Sequence, residues 1–189
     1  EIDPSFTQFF ISWAKDKDVY LVSGSDLSKL REQLPDTIFA ATKGVFTCCG
    51  NEHYTKWGDL VYSNQYEPSR ELILYLNEKL NLDSKYKKRF GNHIEVRPGM
   101  LNFSVVGRNA TAAGRKEYYK WDISNKERNK IAKEIEDKFP TLQASVGGQI
   151  SIDIYPKGKD KSQILEHLNY SKYIFLGDRL QPGGNDFPL

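Results

Sequence analysis

Two aspartates on a glycine-rich turn are the first residues of this sequence whose spacing could do chemistry. Asp178 follows an apolar run that begins at Tyr173, and Asp186 ends the cluster Gly-Gly-Asn-Asp. Carboxylate oxygens are the ligands that Mg²⁺ prefers, and one or two suffice when a substrate phosphate completes the site. The pair predicts a Mg²⁺ site for a phosphate-bearing substrate; the alternative is a polar loop capped by Asn185 and Asp186.

A serine and a lysine stand where helices are predicted to begin. Ser25 opens a helix predicted over residues 26–34, where free amides and the helix dipole favour a phosphate. Lys161 opens a helix predicted over residues 161–168, at a position that normally prefers acidic residues. Both predict contacts with a phosphoryl group. The alternatives are that Ser25 or Asp26 only caps its helix and that the lysine-rich run is a solvated surface.

Arginines and small polar residues recur through the middle of the chain. Arg97 and Arg108 flank a predicted pair of strands and Arg115 follows them. A guanidinium grips a phosphate through paired hydrogen bonds, so the three predict a phosphate site. Ser151 and Asp153 alternate with isoleucines and therefore share one face of a strand, where they could bind sugar hydroxyls. The alternative is the polar outer face of a half-exposed sheet.

Two patterns of elements must position these residues. The first third alternates predicted helices with short apolar runs, which is typical of a parallel α/β sheet: helices over 5–17 and 26–34, extended runs over 19–26, 37–42 and 44–50, and a hairpin over 53–62. The middle repeats a helix and two strands, which is typical of an antiparallel α+β layer: helices over 69–82 and 126–139, strand pairs over 93–107 and 142–156.

The end of the chain returns to the first pattern, because a helix is followed by an apolar run over 173–178 that predicts a buried strand. We therefore predict an α/β core formed by residues 1–64 and 156–189. An α+β insert over residues 65–155 would interrupt it and bind the substrate.

Composition and charge exclude several classes of protein. The formal net charge is +2, and the basic run over 84–90 is local, so nothing predicts binding to nucleic acid. No apolar run approaches the ~18 residues of a membrane-spanning helix, and we expect no membrane contact. The two cysteines, Cys48 and Cys49, are adjacent, and neighbours rarely bridge each other. They favour a reducing compartment, and we expect a cytoplasmic protein.

Three segments together resemble the eukaryotic-type phosphomannomutases of the haloacid dehalogenase superfamily. They are "RPGMLNFSVVGR" followed by Arg115, "GGQISIDIYPKGKDK" and "FLGDRLQPGGNDF". The resemblance covers nearly the whole chain and keeps the order and spacing of the motifs. It implies an α/β, haloacid dehalogenase-like Rossmannoid core with an inserted α+β cap, and a homodimer formed through the cap. The implied reaction interconverts mannose 6-phosphate and mannose 1-phosphate with Mg²⁺, through an aspartyl phosphate and a hexose 1,6-bisphosphate.

The resemblance also implies a role for each candidate residue. Asp178 and Asp186 are the implied metal ligands. Lys161, which steadies the transferring phosphoryl group, and Ser25 are the implied catalytic residues. The implied substrate-binding residues form two groups. The cap arginines, which hold the phosphate that is not being transferred, are Arg97, Arg108 and Arg115, and the polar residues are Asn102, Ser151 and Asp153.

One part of the family pattern is missing. The nucleophile of these mutases lies in an Asp-x-Asp-Gly-Thr motif, which does not occur in the 189 residues. We expect the motif to lie in a part of the protein that this sequence does not include. Two alternatives stay open: a Mg²⁺-dependent sugar-phosphate phosphatase of the same superfamily, and a non-catalytic sugar-phosphate-binding homologue. The preference for mannose over glucose also stays open.

Overall fold

The computed structural model describes residues 2–189 and arranges them around two four-stranded sheets. The first sheet has the order β1 (Tyr20–Val22), β2 (Gly44–Thr47), β3 (Glu52–Thr55), β4 (Leu60–Ser63). The second has the order β5 (Ile94–Arg97), β6 (Met100–Phe103), β8 (Ser151–Pro156), β7 (Leu142–Gly147). The α-helices are α1 (Pro4–Ala14), α2 (Leu27–Gln33), α3 (Asp36–Ala40), α4 (Arg70–Glu78), α5 (Ala112–Asn125) and α6 (Glu127–Lys138). Two 3₁₀ helices span Cys48–Gly50 and Lys161–His167, and a π-helical turn, Lys79–Asp83, continues α4.

The first sheet differs from the predicted parallel sheet. Only β1 and β2 are parallel, whereas β2, β3 and β4 form an antiparallel meander that includes the predicted hairpin. The extended run predicted over 37–42 is wrong, because α3 occupies this region. Pro35 precedes α3 with φ −68°, and the helix buries Ile38 and Phe39. Burial of these two side chains outweighs the strand propensity of a short apolar run.

The strand predicted over 173–178 does not form. Ile174 and Leu176 are 82% and 76% exposed, so this apolar run is not buried. A strand needs a neighbour for its N–H and C=O groups, and within the described residues β1, at the edge of the first sheet, pairs only with β2. The helix predicted over 161–168 is present as the 3₁₀ helix Lys161–His167.

Helix α1 confirms the helix predicted near the start of the chain. Asp3 caps it by accepting a 2.7 Å hydrogen bond from the Ser5 amide. Its apolar face is not covered, because Phe6 and Phe9 are 47% and 60% exposed and only Ala14 is buried. In residues 2–189 no helix has the length and apolar character needed to cross a bilayer.

The second sheet confirms the elements predicted for the middle of the chain, since α4, β5–β6, α6 and β7–β8 all lie in the predicted ranges. Helix α5 was not predicted. It buries Gly114, Tyr118 and Asp122, so its buried stripe contains a glycine and an acid rather than a row of apolar residues. A helix of this kind gives no apolar periodicity for sequence reasoning to detect.

The two faces of the second sheet have different chemistry. Leu101 and Ile152 belong to the apolar core that the sheet shares with α4, α5 and α6. On the other face, Met100 and Tyr155 pack against Cys48 and Cys49 of the first sheet's 3₁₀ turn, and all four are buried. Side chains alternate between faces along a strand, so the polar residues of β6 and β8 also face the first sheet.

A buried ion pair fixes the turn between β7 and β8. Arg128 donates from Nε to the Asp122 carboxylate at 2.7 Å, and both side chains are under 5% exposed. The same guanidinium donates to the carbonyl oxygens of Gly147, Gly148 and Ser151 at 3.0, 3.2 and 3.3 Å. The start of α6 therefore determines the shape of this turn.

Replacing Arg128 with methionine should destabilise the fold, because Asp122 would stay buried without a partner. We expect the free energy of unfolding to fall by about 3–5 kcal/mol in denaturant titration. Lys133→Met, which removes an exposed pair with Asp137 on the same helix, should cost less than about 1 kcal/mol. Equal losses in the two variants would contradict this role.

Candidate functional site

A cavity of about 490 Å³ lies between the two sheets and is lined by every residue that the sequence predicted to bind metal, phosphate or sugar. The loop after β1, the start of the 3₁₀ helix Lys161–His167 and the C-terminal loops form one wall, and the second sheet and its turns form the other. The predicted residues in the lining are Ser25, Arg97, Asn102, Arg108, Arg115, Ser151, Asp153, Lys161, Asp178 and Asp186.

The loop after β1 is fastened to the rest of the first sheet. The Cys49 amide donates to the Ser23 carbonyl at 2.9 Å, and the Cys48 amide donates to the Ser25 carbonyl at 3.0 Å. Asp26, not Ser25, caps α2, because its carboxylate accepts from the Lys29 amide at 2.8 Å. The Ser25 hydroxyl is therefore not used as the helix cap, and the residue lines the cavity.

Lys161 and Asp186 form an ion pair in which both side chains are under 10% exposed. The second carboxylate oxygen of Asp186 accepts a 3.1 Å hydrogen bond from the Arg179 amide. Burial by itself would raise the pKa of Asp186, but the hydrogen bond and positive charge of Lys161 outweigh it and lower the pKa. Asp186 is therefore a fixed carboxylate that holds the lysine in the wall of the cavity.

The two predicted metal ligands differ in their contacts. Asp178 lies in an exposed segment, whereas both oxygens of Asp186 are already engaged. Among residues 2–189 no three His, Cys, Asp or Glu side chains are grouped as a metal site would require. Of the two predicted ligands, only Asp178 therefore has a carboxylate that is not already engaged, and it fits a Mg²⁺ ion only if phosphate oxygens, water or another carboxylate complete its shell.

A polar row crosses the second sheet beneath the cavity. Glu95, Asn102, Asp153 and Ser145 are successive cross-strand partners on β5, β6, β8 and β7. Asn102 donates to the Asp153 carboxylate at 2.6 Å. Burial raises the pKa of Asp153, which Arg97 and the Asn102 hydrogen bond only partly offset. A carboxylate in this setting is a ready acceptor for a sugar hydroxyl.

The arginines are held by contacts that precede any ligand. Arg97 donates to the Gly24 carbonyl across the cavity at 3.0 Å and to the Glu95 carboxylate. Arg108 donates to the Ser151 hydroxyl at 3.0 Å. Arg115 donates to the carbonyl oxygens of Ala110 and Arg108 at 3.0 and 2.5 Å. Burial, followed by repulsion from Arg97, lowers the pKa of Arg108.

Sequence reasoning missed two residues of this site. Glu95 pairs with Arg97 and Arg108, and its position two residues before Arg97 in an alternating strand was a signal that could have found it. Arg179 donates to the Gly148 carbonyl at 2.6 Å and so links the C-terminal loop to the β7–β8 turn. Nothing in the spacing around Arg179 indicated that contact.

Solved structures with a similar fold belong to phosphatases. An IMP-bound, N-terminally truncated IMP-nucleotidase from Plasmodium falciparum aligns with 99% of this chain and 56% of its own, at 17% identity and a TM-score of 0.59. A phosphatase of the haloalkanoate (HAD) enzyme superfamily from Bacteroides thetaiotaomicron aligns with 88% of this chain and 64% of its own, at 14% identity and a TM-score of 0.51. The haloacid dehalogenase-like fold, a core with an inserted α+β cap, is thereby confirmed.

Relatives at higher identity share one name. The phosphomannomutase of Drosophila melanogaster is 32% identical over 203 residues, covering the whole of this chain and 79% of the relative. That of Dendrobium officinale is 35% identical over 198 residues, covering 77% of the relative. The family model described as eukaryotic phosphomannomutase matches residues 6–189. The chain therefore belongs to the eukaryotic phosphomannomutase family and is an enzyme of that type.

Proposed function

We propose that the cavity between the two sheets is where this protein performs the phosphomannomutase reaction of its family. The observation that carries the proposal is the division of charged groups between the walls. Lys161, Asp178 and Ser25 lie on the first wall, and the cap arginines lie on the second. A mutase must hold two phosphates at once, one that is transferred and one that is not, and opposite walls supply the two positions.

The proposed reaction has two phosphoryl transfers. The C1 oxygen of mannose 6-phosphate attacks an aspartyl phosphate, loses its proton, and the phosphorus–aspartate bond breaks, which gives mannose 1,6-bisphosphate. The bisphosphate then turns over in the cavity. The freed carboxylate attacks the 6-phosphoryl group, the bond to the C6 oxygen breaks, that oxygen takes a proton, and mannose 1-phosphate leaves.

The first wall would stabilise the transferring phosphoryl group. We propose that Lys161 donates to its equatorial oxygens and that Asp186 positions the lysine amine, while the Ser25 hydroxyl donates to the same group. Asp178 would hold a Mg²⁺ ion, which when bound supplies further positive charge to the phosphate oxygens. In this proposal Asp186 serves the metal site only indirectly, because its two oxygens are engaged.

The nucleophilic aspartate would come from a segment that the 189 residues do not include. Two observations support this proposal. One edge of β1 carries no strand among the described residues, and the nearby apolar run over 173–178 is exposed although its composition is that of a buried strand. A parallel strand seated between them would end beside Ser25 and Asp178, where a phosphoryl group would be attacked.

The second wall would bind the rest of the substrate. Arg97, Arg108 and Arg115 would hold the phosphate that is not being transferred, and the row of Asn102, Ser151 and Asp153 would bind sugar hydroxyls. In this proposal residues 65–155 are the cap, and residues 1–64 and 156–189 are parts of the core. Closing the cap would keep water away from the aspartyl phosphate, which distinguishes a mutase from a phosphatase.

We also propose that the protein is a cytoplasmic homodimer joined through the cap. Cys48 and Cys49 are both free and buried, which suits a reducing compartment.

Leu74, Leu82 and Ile123 are apolar cap side chains that are 58%, 72% and 58% exposed, and exposed apolar surface is typical of an interface. Sedimentation velocity of the natural protein should give the mass of a dimer, and a monomer at micromolar concentration would contradict the proposal.

The function is tested by phosphorus NMR of the natural protein with Mg²⁺, mannose 1-phosphate and a trace of hexose 1,6-bisphosphate. A growing 6-phosphate signal is expected. Asp178→Ala should abolish it and leave the fold intact, because Asp178 is exposed. Release of inorganic phosphate alone would establish a phosphatase instead, and an unchanged spectrum would favour a binding protein without a nucleophile.

Replacing Arg115 with glutamine should weaken the second phosphate site. We expect kcat/KM for mannose 1-phosphate to fall on the order of 10²-fold in a coupled assay, because one charged donor to the phosphate is lost. The neighbouring Lys116→Gln on the same helix, an exposed position, should stay within about twofold of the natural enzyme. Equal activity of the two variants would exclude Arg115 from the site.

Asp186 should make stability depend on acid pH. Its lowered folded-state pKa contributes stability that is fully present above its ordinary pKa of 3.8 and is lost as the pH falls through the folded value. The natural protein should therefore exceed Asp186→Asn in unfolding free energy by a constant amount above about pH 5, and the difference should shrink below about pH 4. A difference that does not change with pH would contradict this, and Asp137→Asn, in an exposed ion pair, serves as the control.

A further inference from the structure

The second phosphate site contains its own negative charge. One carboxylate oxygen of Glu95, Oε2, accepts from Nε and Nη2 of Arg97 at 3.2 and 2.5 Å. The same oxygen lies 3.4 Å from Nε of Arg108. Two of the three arginines proposed to hold a phosphate are therefore paired with a carboxylate before any phosphate arrives.

We infer that Glu95 is a positioning residue that also limits how tightly the cap arginines hold a phosphate. The inference rests on the proposed function, because it assigns a property to the second phosphate site of that reaction. Glu95 would keep the two guanidinium groups side by side and, by its charge, make their hold on a phosphate dianion weak enough to be released in every turnover.

The register of the second sheet fixes this arrangement. Glu95 and Arg97 are two residues apart on β5 and so share the face toward the cavity. Glu95 lies opposite Asn102, and Asn102 lies opposite Asp153, so the carboxylate stands at the end of the polar row. Glu95 is 32% exposed at the side chain, against 6% for Arg97 and 20% for Arg108, and does not itself line the cavity.

The contacts of the arginines leave donors for a ligand. A guanidinium has five N–H groups, and Arg97 uses one each on Nε, Nη1 and Nη2 for Glu95 and Gly24. Arg108 uses Nη1 for Ser151 and directs Nε toward Glu95. The two guanidinium groups therefore keep N–H donors for a phosphate, while the charge of Glu95 reduces the net positive charge that the phosphate would meet.

The proposed reaction explains why a weaker site is useful. The bisphosphate must exchange its two ends between the walls, so the phosphate on the arginines has to leave them once in every cycle. Binding that is equally strong in the ground state and the transition state does not raise kcat. Excess affinity at the arginines would instead slow the exchange and the release of product.

The test is the substitution Glu95→Gln, which keeps an acceptor oxygen for Arg97 and removes the charge. Calorimetric titration of the natural protein with mannose 1-phosphate, without Mg²⁺ or bisphosphate, measures binding when no turnover occurs. We expect about tenfold tighter binding, which corresponds to roughly 1.4 kcal/mol. The gain arises because the Glu95 charge no longer repels the phosphate or competes with it for the arginines. In the steady state, kcat and KM should fall together, so that kcat/KM changes little.

A purely structural role for Glu95 would give the opposite pattern, because disordered arginines would bind more weakly and kcat/KM would drop. The matched control is Glu117→Gln, since Glu117 pairs with Lys88 in an exposed ion pair. It should leave binding and turnover unchanged. Binding by Glu95→Gln that is equal to or weaker than that of the natural protein would overturn the inference.

Stability must be followed in the same variants, because Arg97 is buried and loses an ionic partner. Glu95→Gln should melt at a lower temperature than the natural protein and should gain more stability from added mannose 1-phosphate. If the amide variant does not fold, Glu95→Thr removes the same charge, keeps a side-chain oxygen as an acceptor and suits a β-strand, and it must also bind more tightly. Tight binding without interconversion in the NMR assay would refute the proposed function while leaving the charge effect of Glu95 standing.

Discussion

The interaction on which the rest of the structure depends is the contact of Arg97 with both walls of the cavity. Its guanidinium donates to the Gly24 carbonyl of the first wall and to Glu95 of the second sheet, and its side chain is 6% exposed. A charge buried this deeply needs fixed partners, since leaving it alone would cost several kcal/mol. The proposed phosphate site therefore depends on the two sheets meeting in this relative position.

The same requirement applies to the other charged groups around the cavity. Lys161 is held by Asp186, and Asn102 donates to Asp153. The polar face of the second sheet is buried and its side chains pair largely with one another, although the buried Oδ1 atom of Asn102 has no hydrogen-bond partner. In the proposed function a substrate replaces some of these contacts, so its binding free energy is the difference between the contacts it makes and the side-chain contacts it displaces.

Packing explains why these groups stay in place. The opposite face of the second sheet is apolar and covered by α4, α5 and α6, which gives the polar face a rigid support. On the polar face, Met100, Tyr155, Cys48 and Cys49 form a small buried cluster that joins the two sheets beside the cavity. The Arg128–Asp122 pair fixes the β7–β8 turn, and Arg179 connects that turn to the C-terminal loop. Apolar contacts thus set the distance between the two walls, and hydrogen bonds set the positions of the turns and loops that line them.

The sequence by itself determined ten of the residues that line the cavity and most elements of the second sheet. Alternation of Ser151 and Asp153 with isoleucines is a local property of one strand, and the arginine and glycine motifs are read directly from the chain. Only the tertiary structure decided that Asp186 pairs with Lys161 and that Glu95 pairs with both Arg97 and Arg108. It also decided that the run over 173–178 does not pair as a strand. Those outcomes depend on groups far apart in sequence, and on whether a neighbouring strand is present, which no local pattern contains.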